Sequence, residues 1–383
     1  MNLLDRYIFR SVLASCAAAV GLLVFVLMLG NVIRDLLTYV LTGQLSPATF
    51  VHLTLLMVPF VATYALPMGI LTGVLLTLGR LSADSEITAM RSAGIGMPRI
   101  ARPVFLLSGL AAGTALYVNF EAMPHAKVEY ERNLTAAIRA NPINLIVPKT
   151  FIREFPGFVL YIGSKQRGEL QDFWLWQLDS DRRVIRFVRA AAGHLDYDEH
   201  TNDLLLTLAH AQEETLNEKN PEDFRDDPTV TTFELTEPIR LSLQTIFGGG
   251  ADRQPKLLWM TYPELQAARE RLQSQSATTA EAVKTRQIGL MKIAMTIQEK
   301  FTTAIAVLSF TLVGLPLGIA VSRRETSANL GVAVALALGY YFLAVMIGWL
   351  DQHPEYRPDL LLWLPNVIFI GVGLWLFRRL RAR

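Results

Sequence analysis

Apolar positions in this chain fall into two patterns, long unbroken runs at both ends and strict alternation in the middle. A helix needs about 20 mostly apolar residues to cross a bilayer. Six runs meet that length: roughly Ser11–Leu41, Phe50–Leu78, Ile100–Phe120, Phe301–Val321, Asn329–Leu350 and Leu360–Phe377. Between the third and fourth, from about 124 to 256, the period changes to two. In Phe233–Leu243 the residues Phe233, Leu235, Ile239, Leu241 and Leu243 share one face, and Thr232, Glu234, Thr236, Arg240 and Ser242 the other. That predicts a strand with one buried face, or two strands bent at Pro238, which has no N–H to give to a ladder. Further strands are expected at 158–164, 173–178, 183–188 and 204–210, with a turn-rich connection at 197–203. Several short strands in succession predict an antiparallel sandwich or roll.

Polar segments mark the joints. The acidic stretch Asn217–Pro228 reads as a surface loop, and Gly248–Gly250 as a hinge. Thr261, Pro263 and Glu264 form a helix start, with Thr at the N-cap and Glu three residues on. This helix, with a break near Ser276–Thr279, leads through Lys292 and Lys300 into the fourth span. The expected fold is an α-helical membrane protein of six spans, with an outer antiparallel β domain between spans three and four. The boundaries are 1–123 for the first three spans, 124–256 for the β domain, 257–300 for a connecting helix and 301–383 for the last three spans.

A separate short helix is expected between spans two and three, within 82–94. Ser82 can cap it, Gly94 can end it and Pro98 can open the next helix. Glu86, Met90 and Ala93 share one face, and Ile87 and Met90 are neighbours. An acid beside exposed apolar side chains suits a groove on a partner. It equally suits a helix lying on the membrane with Ile87 and Met90 in lipid, and the residues alone leave both open.

Charge supplies orientation. Arg6, Arg10, Arg80, Arg91, Arg99, Arg102, Arg323, Arg324, Arg378, Arg379, Arg381 and Arg383 flank one side of the spans; only Arg34 and Arg357 flank the other. The positive-inside rule then puts both termini and the short helix in the cytoplasm, and the β domain outside. Composition agrees with a membrane chain: 51% hydrophobic and 18% charged, against about 25% charged in soluble domains. A net charge of +2 gives no reason to expect a nucleic-acid partner. The first run is too long for a cleaved signal peptide, and no A-x-A-like site follows an apolar stretch of the usual signal-peptide length.

No catalytic chemistry is legible. The chain has no H-E-x-x-H, G-x-S-x-G or Walker loop, so any ATP must be bound by another chain, and no cofactor is expected here. The single Cys16 reads as a small buried hydrophobe. His194, His200 and His210 have no ligand spacing, and Asp196, Asp198 and Glu199 read as a solvated turn rather than a calcium loop.

The stretch S-E-I-T-A-M-R-S-A-G (Ser85–Gly94) resembles the coupling helix of the LptF/LptG permease family, membrane subunits of the lipopolysaccharide exporter. L-D-R-Y-I (Leu4–Ile8), P-L-G-I-A-V-S-R-R (Pro316–Arg324) and W-L-P-N (Trp363–Asn366) resemble that family too, as does the six-span order with its β insertion. The S-E-I-T form is nearer LptF, whereas L-D-R-Y-I occurs on LptG-like chains; the balance leans slightly to LptF. The resemblance implies a β-jellyroll domain, a second homologous permease, a docked LptB-like ATPase dimer, a membrane-anchored LptC-like protein and a periplasmic LptA-like bridge. It implies lipopolysaccharide as cargo. Glu86 would stand at the docking acid, with Ile87, Met90 and Arg91 beside it.

Arg34 has two readings. It is an interface arginine paired with Asp35, or a clamp for a lipid phosphate, since guanidinium meets phosphate through two hydrogen bonds. The family has basic residues near this place, which favours the clamp; Lys300 is a second lipid candidate. The β domain is expected to be an open roll with a channel for acyl chains. A closed sandwich would instead fill that space with Trp174, Trp176, Phe187, Phe233 and Leu241 or their strand neighbours. A different class of function, a membrane scaffold or envelope sensor that transports nothing, would share the same spans and β domain.

Overall fold

The computed structural model describes residues 2–33, 36, 40, 45–140, 149–153, 157–166, 169–179, 183–198, 203–216, 229–242, 256–275, 279–321 and 326–382. Arg34, Asp35, the acidic loop at 217–228 and the glycine run at 248–250 lie outside the described residues. Among the described residues six helices are long and apolar enough to cross a membrane. The chain divides into two compact units.

The helices begin with α1 (Leu3–Leu27), continued by a π-helical segment Met28–Ile33. Next come α2 (Pro47–Leu56), α3 (Val58–Ala83), α4 (Glu86–Ser92) and α5 (Met97–Tyr117). A second π segment, Val118–Ala122, joins α5 to α6 (Met123–Ala140). After the β domain come α7 (Tyr262–Ser274), α8 (Ala280–Val321), α9 (Thr326–Gly348), the short α10 (Pro358–Leu361) and α11 (Leu364–Ala382). The start of α7 is as read from sequence: the Thr261 N–H donates to Glu264 Oε2 at 2.7 Å. The break before α8 is present too, but beyond it the connecting helix and the fourth span are one helix of 42 residues.

Helices α3 and α8 form the middle of the bundle. Leu71, Leu75, Phe310 and Val313 pack there with Tyr340 of α9 and Phe369 of α11. Two glycines set the distance between α3 and α1. A Cβ on Gly73 would stand 2.6 Å from the Cys16 backbone nitrogen, and one on Gly69 2.7 Å from the Val20 Cα. Small residues four apart are what lets helix backbones touch in lipid, where apolar side chains gain nothing by leaving the solvent. Gly73→Leu is therefore expected to push α1 off α3, at about 1–3 kcal/mol or more. A drop in detergent-phase melting temperature would register it, while Gly21→Leu, which meets nothing within 4 Å, should leave melting unchanged.

Polar side chains also tie spans together. The Asn366 amide donates to the Thr302 carbonyl at 2.9 Å and accepts from the Ser309 hydroxyl at 2.8 Å. One turn earlier the Trp363 indole donates to Gln298 Oε1 at 2.9 Å. The W-L-P-N motif thus supplies polar ties from the start of α11 to α8, beside the Phe310–Phe369 ring contact.

The β domain lies in sequence between the third and fourth spans, as expected, and is an antiparallel sheet. Its strands are β1 (Phe151–Ile152), β2 (Phe158–Gln166), β3 (Glu169–Leu178), β4 (Val184–Asp198), β5 (Asp203–Thr215), β6 (Thr229–Leu235) and β7 (Ile239–Ser242). Neighbours in sequence are neighbours in the sheet through β6, and β7 also pairs with β5. Strands β6 and β7 are the two bent halves of one run: the Thr236 N–H reaches the Leu208 carbonyl, and the Thr236 hydroxyl takes the Leu208 N–H at 3.0 Å. Pro238 follows at the gap, where no ladder donor is required. Strands β4 and β5 are longer than their apolar runs because each pairs with the other from Asp198–Asp203 to Arg186–Thr215.

One face of this sheet holds the core: Leu160, Ile162, Phe173, Leu175, Val188, Leu206 and Leu208. Of the two sets weighed from sequence, the strand neighbours fill it. Trp174, Trp176 and Phe187 lie on the opposite face with Tyr161 and Phe151, as linked aromatic pairs with centroids 5.2–6.1 Å apart. The Arg189 guanidinium sits 5.1 Å over the Trp174 ring. Such cross-strand rings stabilise a face without a second layer over it. Strand β6 departs from the expected buried face. Phe233 is 36% exposed and Leu235 66%, because nothing among the described residues packs over that edge.

Candidate functional site: the α4 turn and the polar ties around it

Seven residues are too few to form a stable helix alone, so α4 depends on its ends and on one buried side chain. Its start differs from the sequence reading. Ser82 is not the cap; α3 runs on through Ala83, and the Ser82 hydroxyl donates to the Ile319 carbonyl of α8 at 2.9 Å. The turn is made instead at Ser85, whose φ of 62° is left-handed, a conformation that costs a non-glycine residue roughly 1 kcal/mol. The end is as expected. Gly94 has φ 81°, its N–H bonds to Arg91 O at 3.0 Å, and the Ile95 N–H bonds to Met90 O at 3.0 Å. This pair of bonds is a Schellman motif, with Met90 and Ile95 as its apolar contact. Pro98 then sits in the first turn of α5.

The four docking candidates separate by face. Ile87 is only 3% exposed and packs into the core formed by α1, α3, α5 and α8. Met90 is half-buried against the same core. These two side chains anchor the helix to its own protein, which corrects the reading of Ile87 as an exposed apolar contact. Arg91 is exposed and makes no ion pair among the described residues. Glu86 is half-buried. Its carboxylate accepts from the Tyr7 hydroxyl, at 2.9 Å to Oε2 and 3.1 Å to Oε1. The acid is thus held in place from α1, across 79 residues of sequence.

Tyr7 belongs to the site and was missed by sequence reasoning. Its signal was its place inside the L-D-R-Y-I motif, where an aromatic hydroxyl near the start of an apolar helix needs a polar partner. The outcome is a short helix pinned at three points: a glycine cap, a buried isoleucine and a tyrosine from the first span.

Lys300, read as a lipid candidate, is 2% exposed. Its ammonium donates to the Asn119 carbonyl at 2.7 Å and to the Met260 carbonyl at 3.0 Å, and the Asn119 amide returns a bond to Lys300 O at 2.9 Å. Two of its three donors are committed to backbone. The lysine therefore links α8, the π segment after α5 and the segment leading into α7, rather than opening onto a surface. Arg34 lies outside the described residues.

The chain is 27% identical over 193 residues to the lipopolysaccharide export system permease protein LptF of Escherichia coli strain K12, an alignment covering 50% of this chain and 52% of that protein. It thus spans about half the length of that relative. It is 22% identical over 386 residues to the permease protein LptG of Haemophilus influenzae, covering 100% of this chain and 99% of that one. Relatives on both branches match, so the slight lean to LptF stays open. The profile of the lipopolysaccharide export system permeases LptF/LptG matches residues 6–379, and the chain belongs to that family.

Proposed function

We propose that this chain is one of two homologous permeases in an ATP-driven machine that draws lipopolysaccharide out of the bacterial inner membrane. The observation that carries this reading is α4. It is rigidly seated between two spans and presents Glu86 and Arg91, in a chain with no nucleotide-binding loop of its own. Energy must then arrive from a separate ATPase, an LptB-like dimer, through contact with that helix. The arginine distribution puts α4 and both termini in the cytoplasm. The β domain is then periplasmic, facing LptC-like and LptA-like proteins of similar build.

Two further features support the reading. Leu22, Phe25 and Leu29 of the first span and Leu338, Phe342 and Trp349 in or just after α9 are all exposed, and suit lipid and the facing permease. The open β6 edge, with Phe233 paired to the core residue Ala211, suits addition of another sheet and passage of acyl chains. Arg34, by its position late in the first apolar run of the sequence, is the residue proposed to hold a lipid phosphate. Arg34→Ala is expected to lower the lipopolysaccharide that co-purifies, with the ATPase still bound. Equal, wild-type lipid in Arg34→Ala and Arg34→Lys would reduce the residue to an interface anchor.

Purification of the full chain from detergent, with its companions identified by mass spectrometry, tests the assembly. A second permease and an ATPase are expected. Recovery of the chain with neither, from membranes that contain both, would favour the scaffold reading.

A further inference from the structure

The long helix α8 is held by different neighbours on the two sides of Pro316. On the N-terminal side, Thr302 and Ser309 bond to Asn366 of α11. There the Thr311 hydroxyl also meets the Ser108 hydroxyl of α5 at 2.6 Å, and Lys300 bonds to the Asn119 carbonyl of the π segment. Beyond Pro316 only the tip 317–321 remains. Among the described residues its polar tie to another helix is the bond from the Ser82 hydroxyl to the Ile319 carbonyl, at 2.9 Å. A Cβ on Gly318 would stand 3.1 Å from Leu78 Cβ and 3.3 Å from the Leu75 carbonyl oxygen, so the tip lies directly against the last turns of α3.

Pro316 lies inside the helix. It has no N–H, so the Leu312 carbonyl loses its i+4 donor, and the proline ring crowds that same carbonyl. Helix α11 closes on this spot. A Cβ on Gly373 would stand 2.9 Å from the Leu312 carbonyl carbon and 3.0 Å from its oxygen. Only glycine leaves room for that approach, and it sets a Cα hydrogen against the oxygen that lacks a donor. Such Cα–H contacts recur between packed helices and are weaker than the N–H bond they stand in for. The backbone of α8 is therefore weakest between residues 312 and 316, where its hold passes from α11 and α5 to α3.

Ser82 stands where α3 turns into α4. Its carbonyl accepts the Ser85 N–H at 3.1 Å, which forms the turn, while its hydroxyl holds the tip of α8. We propose that Pro316 is a hinge in the fourth span, and that Ser82 is the positioning residue through which a shift of the α4 turn moves the tip beyond the hinge. One helix held by two sets of neighbours bends at its missing rung when those neighbours move apart. The tip then follows α3 and α4, while the body of α8 stays with α11. The link through Ser82 rests on the reading of α4 as the docking element; the hinge does not.

Hydrogen exchange of the full-length permease in detergent, read by mass spectrometry with no ATPase present, tests the hinge. The amides of residues 317–320 bond by helical geometry to the carbonyls of 313–316, so they straddle the proline. Pro316→Ala supplies the missing N–H and is expected to slow their exchange by about tenfold or more, with melting at or above wild type. Ser82→Ala is expected to speed exchange of the same amides, and Ser82→Thr, which keeps the hydroxyl, to restore it. Equal exchange in wild type and Pro316→Ala overturns the hinge. In the assembly with its ATPase, lipid released per ATP is expected to fall about fivefold or more in both Pro316→Ala and Ser82→Ala, with the ATPase retained as in wild type. Wild-type release per ATP in Ser82→Ala overturns the link. A wild-type assembly that retains no ATPase ends the docking reading and the link with it, while the exchange result still decides the hinge.

Discussion

Glu86→Lys is expected to abolish stable association with the ATPase. Glu86 is half-buried as a residue, and its carboxylate, at the surface, is held by the Tyr7 hydroxyl, so it meets a partner's groove already oriented, with less rotamer freedom left to lose. An exposed pair would be worth only about 0–1 kcal/mol, but a partner cation left alone inside a closed groove costs about 3–5 kcal/mol. Reversal adds repulsion. Two milder variants separate charge from position. Glu86→Gln retains an acceptor for the tyrosine hydroxyl and removes the charge; Tyr7→Phe retains the charge and removes a bond worth about 0.5–1.5 kcal/mol. Association should fall in the order Tyr7→Phe, Glu86→Gln, Glu86→Lys, measured as ATPase retained on the purified permease. Wild-type retention and lipid release in Glu86→Lys would remove α4 as the docking element.

Lys300→Met is expected to destabilise the fold around the π segment rather than to change lipid load. Two carbonyls, of Asn119 and Met260, lose a charged donor, and hydrogen bonds to charged groups contribute about 1.5–3 kcal/mol each. The thioether fills most of the volume, so the loss is chiefly polar. Thermal unfolding of the detergent-solubilised protein should show the drop. A variant that melts like wild type but carries less lipopolysaccharide would restore Lys300 as a lipid ligand.

The spans were legible because a bilayer leaves a helix few alternatives: the six apolar runs correspond to the six long apolar helices among the described residues, with ends shifted where polar residues continue a helix, as in Leu3–Arg10 of α1, and with the second run split at Met57 between α2 and α3. Gly94, Pro98 and the Thr261–Glu264 cap could be read because each acts on adjacent backbone. The direction of side chains was less accessible. Ile87 and Glu86 are neighbours, and nothing local says which faces the protein; the core of α1, α3 and α5 decides it. In the β domain alternation gave two apolar faces along β3, Phe173–Leu175 and Trp174–Trp176. Only the pairing with β2 and β4 settles which is the core. Tyr7 and Asn119 needed long-range partners, Glu86 and Lys300, that no spacing along the chain reveals.

The central claim is that ATP hydrolysis on a separate ATPase docked at α4 moves lipopolysaccharide through this permease onto its β domain. A photo-crosslinking residue at Phe233, on the core face of the open β6 edge, tests it most directly in membranes containing the whole assembly. Capture of lipopolysaccharide is expected to rise when ATP is supplied and to exceed capture at Glu234 on the opposite face. Capture at Phe233 that is independent of ATP, or no greater than at Glu234, would contradict the account.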